Sequence, residues 1–192
     1  MNIINLHRFR ILELVFVTSC AGIFLSCESK QQQQEPFLDE EASVEQNVYN
    51  QYIDNSLQTG DTPYADSYGG NPSCDDYGCS QIEVMTSNSD VLVTIKQNDK
   101  VVRHAYIRAN SSYTFEMPNG TYQPFFYYGR GWNPEKVMKE LETGTLKGGF
   151  VADESFGKDD PQYLKNQILT YELTLQRNGN FSTKPSNAED AL

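Results

Sequence analysis

The residues of this 192-residue chain that invite a chemical reading include four cysteines, two histidines, the acidic pairs Asp75-Asp76, Asp153-Glu154 and Asp159-Asp160, and one arginine set in an aromatic run. Cys74 and Cys79 enclose four residues in NPSCDDYGCSQ. Outside the cytosol an even pair at that spacing reads as a disulfide. So short a loop removes little chain entropy, about 2 kcal/mol of stabilisation at most. A zinc site at the same pair would need two further ligands. Apart from His7 near the N-terminus, only His104 is on offer. We therefore expect a disulfide and no metal.

His104 sits mid-strand in VVRHAYIR, where a polar or rim position is the plain expectation. A nucleophile, a base and an orienting group must converge for triad chemistry, and nothing in linear sequence marks such partners for it. G-x-S-x-G, H-E-x-x-H and a phosphate-cradling glycine loop are all missing. The pairs Asp75-Asp76, Asp153-Glu154 and Asp159-Asp160 offer oxygen ligands for calcium without the spacing of a calcium loop, and read as solvated charge. The expectation is a protein that is not an enzyme and needs no cofactor. The competing reading is an envelope hydrolase whose site is dispersed among Asp, Glu and His104.

The densest feature is YQPFFYYGRGW, Tyr122 to Trp132. On a strand, Tyr122, Phe126 and Tyr128 share one face while Phe125 and Tyr127 take the other. Such a strand is either covered on both sides or presents an aromatic surface. Tyr128, Arg130 and Trp132 are the candidate ligand contacts: two flat rings and a planar donor fork suited to a carboxylate or a hydroxyl-bearing sugar. Gly129 and Gly131 would keep bulky neighbours away. For Trp132 the opposing reading is a core plug at the end of the sheet.

The other two cysteines bear on where the chain resides. Arg8 and Arg10 precede a mostly apolar run from Ile11 to Leu25, interrupted by Glu13. The run is shorter than the roughly 20 residues a spanning helix needs, and reads as a cleaved secretory signal. VTSC at Cys20 and FLSC at Cys27 both resemble the small-residue-then-cysteine pattern of a lipid acceptor. Cleavage before Cys27 uses the whole apolar run and leaves a polar start, CESKQQQQ. Cys27 is the expected anchor, and acyl chains there would each contribute about 0.8 kcal/mol per buried methylene. The membrane, reached through Cys27, is the first expected partner.

Net charge is −11, unevenly placed. Residues 28–80 carry one lysine against eleven acidic side chains, whereas residues 81–192 carry twelve basic against fourteen acidic. No basic patch exists, so nucleic acid is not an expected partner. The stretch SKQQQQEPFLDEEASVEQ is polar and low in complexity and reads as a tether, followed by one or two helical turns on Val44, Val48 and Tyr52.

Beyond Gln81 the periodicity is that of strands. QIEVMTS, DVLVTIKQ, KVVRHAYIRA, SSYTFEMP, TYQPFFYYGR and QILTYELTLQ are separated by turns at Asn98-Asp99 and Pro118-Asn119-Gly120. In GWNPEKVMKELETG, a short helix with Asn133 as N-cap, Pro134 at the first position and Gly144 as its stop competes with a loop carrying one turn. After the last strand, a three-residue loop at Arg177-Asn178-Gly179 would set Phe181 opposite Leu175 on the apolar face.

The motifs NSLQTGDTPY, NGTY, GRGWNP, LKGGF, ESF and NGNFSTKP, spread over residues 55–188, resemble a group of uncharacterised small lipoproteins of Bacteroidota-type bacteria. MPNGTYQPFFY is distantly similar to the P-x-G-x-Y turn of transthyretin-like and carboxypeptidase-regulatory-like β-sandwiches. The resemblance implies a fold and carries no activity. The expected fold is all-β, an antiparallel β-sandwich of immunoglobulin/transthyretin-like type. The expected order is a signal at 1–26, an acidic tether at 27–60, an irregular lead-in at 61–80, the sandwich at 81–186 and a flexible tail at 187–192. The expected role is that of a non-catalytic module in the bacterial cell envelope, on the outer membrane or cell surface, binding a protein or glycan.

Overall fold

The computed structural model describes residues 39–75, 78–174 and 183–192. Among the described residues three helices, α1 (Asp39–Tyr52), α2 (Ala65–Tyr68) and α3 (Ala188–Ala191), accompany nine strands. The strands are β1 (Cys79–Thr86), β2 (Asp90–Gln97), β3 (Lys100–Ile107), β4 (Ser112–Pro118), β5 (Gly120–Leu141), β6 (Gly144–Lys158), β7 (Gln162–Leu164), β8 (Ile168–Leu173) and β9 (Lys184–Pro185). One sheet has the order β4-β1-β8; the other runs β3-β2-β5-β6-β9, with β7 attached to β5. Pairing is antiparallel except for β1 with β8, which is parallel. The chain is an all-β sandwich, as the alternating segments lead one to expect.

Alternation of side chains along a strand explains the two cores. Val91, Val93 and Ile95 of β2 join Ile82, Phe115 and Phe126 between the sheets. Leu92 of β2, Tyr106 of β3, and Phe125 and Tyr127 of β5 belong to a second core on the opposite face of the larger sheet. That sheet is therefore buried on both sides, and Leu92 and Thr94 are as buried as their alternating neighbours. The two aromatic faces of β5 answer to two covers.

The second cover comes from segments with little apolar content. Leu57, Tyr64 and Tyr68 of the lead-in pack there together with Ala188, Ala191 and Leu192. The lead-in also closes the outer edge of β3: Gly60 N–H donates to Tyr106 O and Tyr106 N–H to Asp61 O, both at 2.8 Å. An unpaired edge invites association, so this covering has a protective consequence.

Four expectations need correction. The proposed tether at 27–60 holds a 14-residue helix, longer than one or two turns, and its end is docked: Trp132 N–H donates to Asn55 O at 2.9 Å and Asn55 Nδ2 to Trp132 O at 2.6 Å. The lead-in at 61–80 is not wholly irregular: it holds α2 and the first residues of β1, and its Tyr64 is buried. The tail at 187–192 is folded and packed. Asn187 caps α3 by accepting from Asp190 N–H at 2.8 Å, and Thr94 Oγ1 donates to Ala191 O at 2.6 Å beneath a buried Leu192. Its two apolar residues supply the burial that holds it.

The fourth correction concerns residues 133–144, which form neither helix nor loop. They are the far arm of β5, turning through Glu142-Thr143 into β6 with Leu141 opposite Gly144. Asn133 does accept from Glu135 N–H at 2.9 Å, the bond a cap would make. The chain nonetheless continues extended through register shifts between Asn133 and Lys139. Long-range pairing with β6 and the burial of Leu146 override local helical preference. The closing-hairpin register, Phe181 against Leu175, lies outside the described residues. The described strands on either side pair elsewhere, β8 with β1 and β9 with β6.

Candidate functional site

The three residues chosen as ligand contacts do not form one surface. Tyr128 is 4% exposed and belongs to the core between the sheets. Trp132 is 2% exposed and belongs to the second core. Four residues apart on a regular strand they would share a face. Two local departures separate them: β6 carries an extra residue opposite Tyr128–Arg130, and Gly131 has φ +71°. A left-handed backbone at that point is open to glycine at no steric cost. The glycines also act contrary to expectation, admitting neighbours rather than keeping them away. A Cβ on Gly129 would lie 2.3 Å from Phe150 Cβ, and one on Gly131 would lie 2.6 Å from Tyr52 O.

Trp132 is the plug. Its ring meets Tyr106 and Phe150 edge-on, with centroids 5.4 and 5.3 Å away. Arg130 alone of the three remains at the surface, paired with Asp54 at 3.8 Å, with side chains 61% and 92% exposed.

Around Arg130 the loops at this end of the sandwich enclose an open recess of about 470 Å³, lined by Asn88, Ser89, Asp90, Ala109, Gly129, Arg130 and Asp153. Asp90 holds its shape. Its Oδ2 accepts from Tyr106 OH at 2.5 Å and from Ser56 OH at 3.0 Å; its Oδ1 accepts from Ala109 N–H at 2.8 Å. Burial first, and then the Asp90 carboxylate, push the Tyr106 phenol up. Arg108 Nε donates to Leu57 O at 2.6 Å and ties the lead-in to the same corner. The recess thus has a rigid, hydrogen-bonded floor and one guanidinium at its rim. Sequence reasoning found Arg130 and missed Asp90, Ser56 and Tyr106, which come from three separate segments.

A second polar cluster runs from the buried Tyr127 to the surface. Tyr127 OH donates to Glu154 Oε1 and accepts from Phe150 N–H at 2.9 Å, while Lys136 Nζ reaches Glu154 Oε2 at 2.6 Å and Phe150 O at 2.7 Å. Burial and then Glu154 push the Tyr127 phenol up. The cluster fastens β6 to β5 across the bulge.

His104 is not at a rim. It is fully buried, stacked on Tyr64 at 5.9 Å with Tyr68 edge-on at the same distance. Its Nε2 accepts the Tyr64 backbone N–H at 3.0 Å, so the ring proton belongs on Nδ1. Nδ1 has no hydrogen-bond partner within normal geometry, while the nearby Thr62 backbone favours the protonated ring against the larger effect of burial. Burial lowers its pKa from 6.5 to about 4. The ring is a neutral structural acceptor.

Cys74 and Cys79 form the expected disulfide, with Cα atoms 5.9 Å apart, at the entrance to β1. Glu116 accepts the Cys74 N–H at 3.0 Å across the sheet edge. Among the described residues no three His, Cys, Asp or Glu side chains gather as a metal site, and no helix is long and apolar enough to cross a membrane. Cys27 lies outside the described residues. Comparison with protein-family models, with curated proteins and with solved structures returns no match to this chain.

Proposed function

We propose that this chain is a lipid-anchored β-sandwich module of the bacterial cell envelope, held through Cys27, that recognises a protein or glycan without transforming it. The observation that carries the reading is the recess around Arg130. Its floor is fixed by a carboxylate already engaged by three donors, and its rim offers a planar fork that is 61% exposed and lies 3.8 Å from Asp54. Preorganised polar floors with one exposed guanidinium fork suit binding of a carboxylate or of sugar hydroxyls. An acidic leading segment supports a module standing off an anionic bilayer.

Two experiments test it. Cys27→Ser abolishes acyl labelling and releases the protein from membranes, while Cys20→Ser does neither; labelling that survives the first change and vanishes with the second overturns the anchor. For the recess, the ligand set is peptides ending in a free carboxylate and oligosaccharides with and without uronic acids, followed by calorimetric titration. Arg130→Ala weakens capture at least about tenfold at an unchanged melting temperature, and Arg130→Lys restores part of it. Equal binding by Arg130→Ala, or turnover of a bound oligosaccharide, excludes the recognition reading.

A further inference from the structure

The helix α1 stands apart from both cores. None of its described side chains belongs to either, and Val44 and Tyr49 are 56% and 39% exposed. Between α1 and the β5–β6 arm lies an open groove of about 680 Å³. Val44, Val48 and Tyr49 form one wall; Asn133, Lys136 and Glu45 supply its polar rim. A 14-residue helix gains little from local bonding alone, so a helix that leaves apolar side chains in water is poised to gain from a cover.

Charge decides what the cover is. The sequence of α1 holds four acidic residues and no basic one. The arm's cation at the groove, Lys136, is already neutralised by Glu154 at 2.6 Å. A second copy of the chain would bring the same acidic helix, and an anionic bilayer would be repelled. We propose that this groove is a docking site for a basic, amphipathic segment of a partner protein, whose apolar side chains lie against Val44, Val48 and Tyr49 while its cations meet Glu45 at the rim. Helix-in-groove recognition has this form, with anchors at i, i+4 spacing and charge on the flanks. The surface is separate from the Arg130 recess and does not depend on a ligand there.

The test uses the full mature chain carrying Cys27→Ser, so that it stays in solution, and fluorescently labelled amphipathic peptides of Lys/Leu and of Glu/Leu composition at physiological salt. The Lys/Leu peptide binds saturably and the Glu/Leu peptide does not. The double change Val44→Ser with Tyr49→Ser weakens binding at least about tenfold, and Glu45→Lys weakens it as well. Val44→Leu with Tyr49→Phe keeps it, which separates lost contacts from an unwound helix; circular dichroism checks the same point. Arg130→Ala leaves this affinity unchanged. Undiminished affinity in the serine variant means attraction by net charge alone and overturns the proposal. So does preference for the Glu/Leu peptide, or the lack of saturable binding.

Discussion

Trp132→Ala lowers the free energy of unfolding by about 3–5 kcal/mol, the range for large aromatic truncations in cores. The ring is 2% exposed and lies among Tyr64, Tyr106 and Phe150, each with its own place in the second core. Gly148 is shaped to it: a Cβ there would come within 2.7 Å of the indole. Backbone set that closely around a ring collapses poorly into the space left behind, which places the cost in the upper part of the range. Urea unfolding followed by far-ultraviolet circular dichroism measures it, since the variant loses the only tryptophan of the chain. A loss under about 1 kcal/mol would return Trp132 to the surface and reopen a role in binding.

Acid weakens the protein through His104. In the folded chain the ring is held neutral, with a pKa of about 4 set by burial, against 6.5 when it is free. The unfolded chain therefore binds the proton first. The stabilising term is complete above pH 6.5 and is lost as pH falls toward 4. Between pH 7.5 and 4.5 this one residue removes on the order of 2–3 kcal/mol. The residues packed on the ring are Tyr64 and Tyr68, whose phenols burial has pushed up and which stay neutral throughout. Protonation of Nε2 also ends its acceptance of the Tyr64 N–H, loosening the lead-in where it crosses the sheet. His104→Gln offers an acceptor without that titration. The difference in unfolding free energy between wild type and variant should then shift toward the variant by that amount as pH falls. A difference that stays constant across the range would remove His104 from the account.

Much of the sandwich was legible because its strands obey period 2. DVLVTIKQ begins and ends as β2 does, and Asn98 and Asp99 take the positive φ that a two-residue hairpin turn requires. What was not legible has a common cause. Tyr64, Asp61 and Leu192 sit in polar or sparse surroundings, and local composition reports neither packing nor edge coverage. The only clue was indirect: rings on both faces of β5 demand two covers, and the second had to come from somewhere. The arm at residues 133–144 failed for the opposite reason. Its local signals, Asn-Pro at one end and Gly at the other, are true helix punctuation that pairing with a distant segment overrules. At the candidate site, Arg130 was visible because it stands in a motif, whereas the Asp90 floor draws on residues 34 and 16 positions away.

The covering of the second core by both ends of the domain also sets a schedule. Tyr68 OH donates to Leu192 O across 124 positions of sequence, and Thr94 to Ala191 O across 97. A chain made from its N-terminus onward completes β2, β3 and β5 well before residues 188–192 exist. Until they arrive, Leu92, Tyr106 and Tyr127 lack part of their lid, and the nascent protein exposes a partly open aromatic sheet. Contacts of such long separation form late and slowly. The interval before the last turn of chain arrives is when this protein is most open to aggregation and proteolysis, and when a holding chaperone would matter most to its yield.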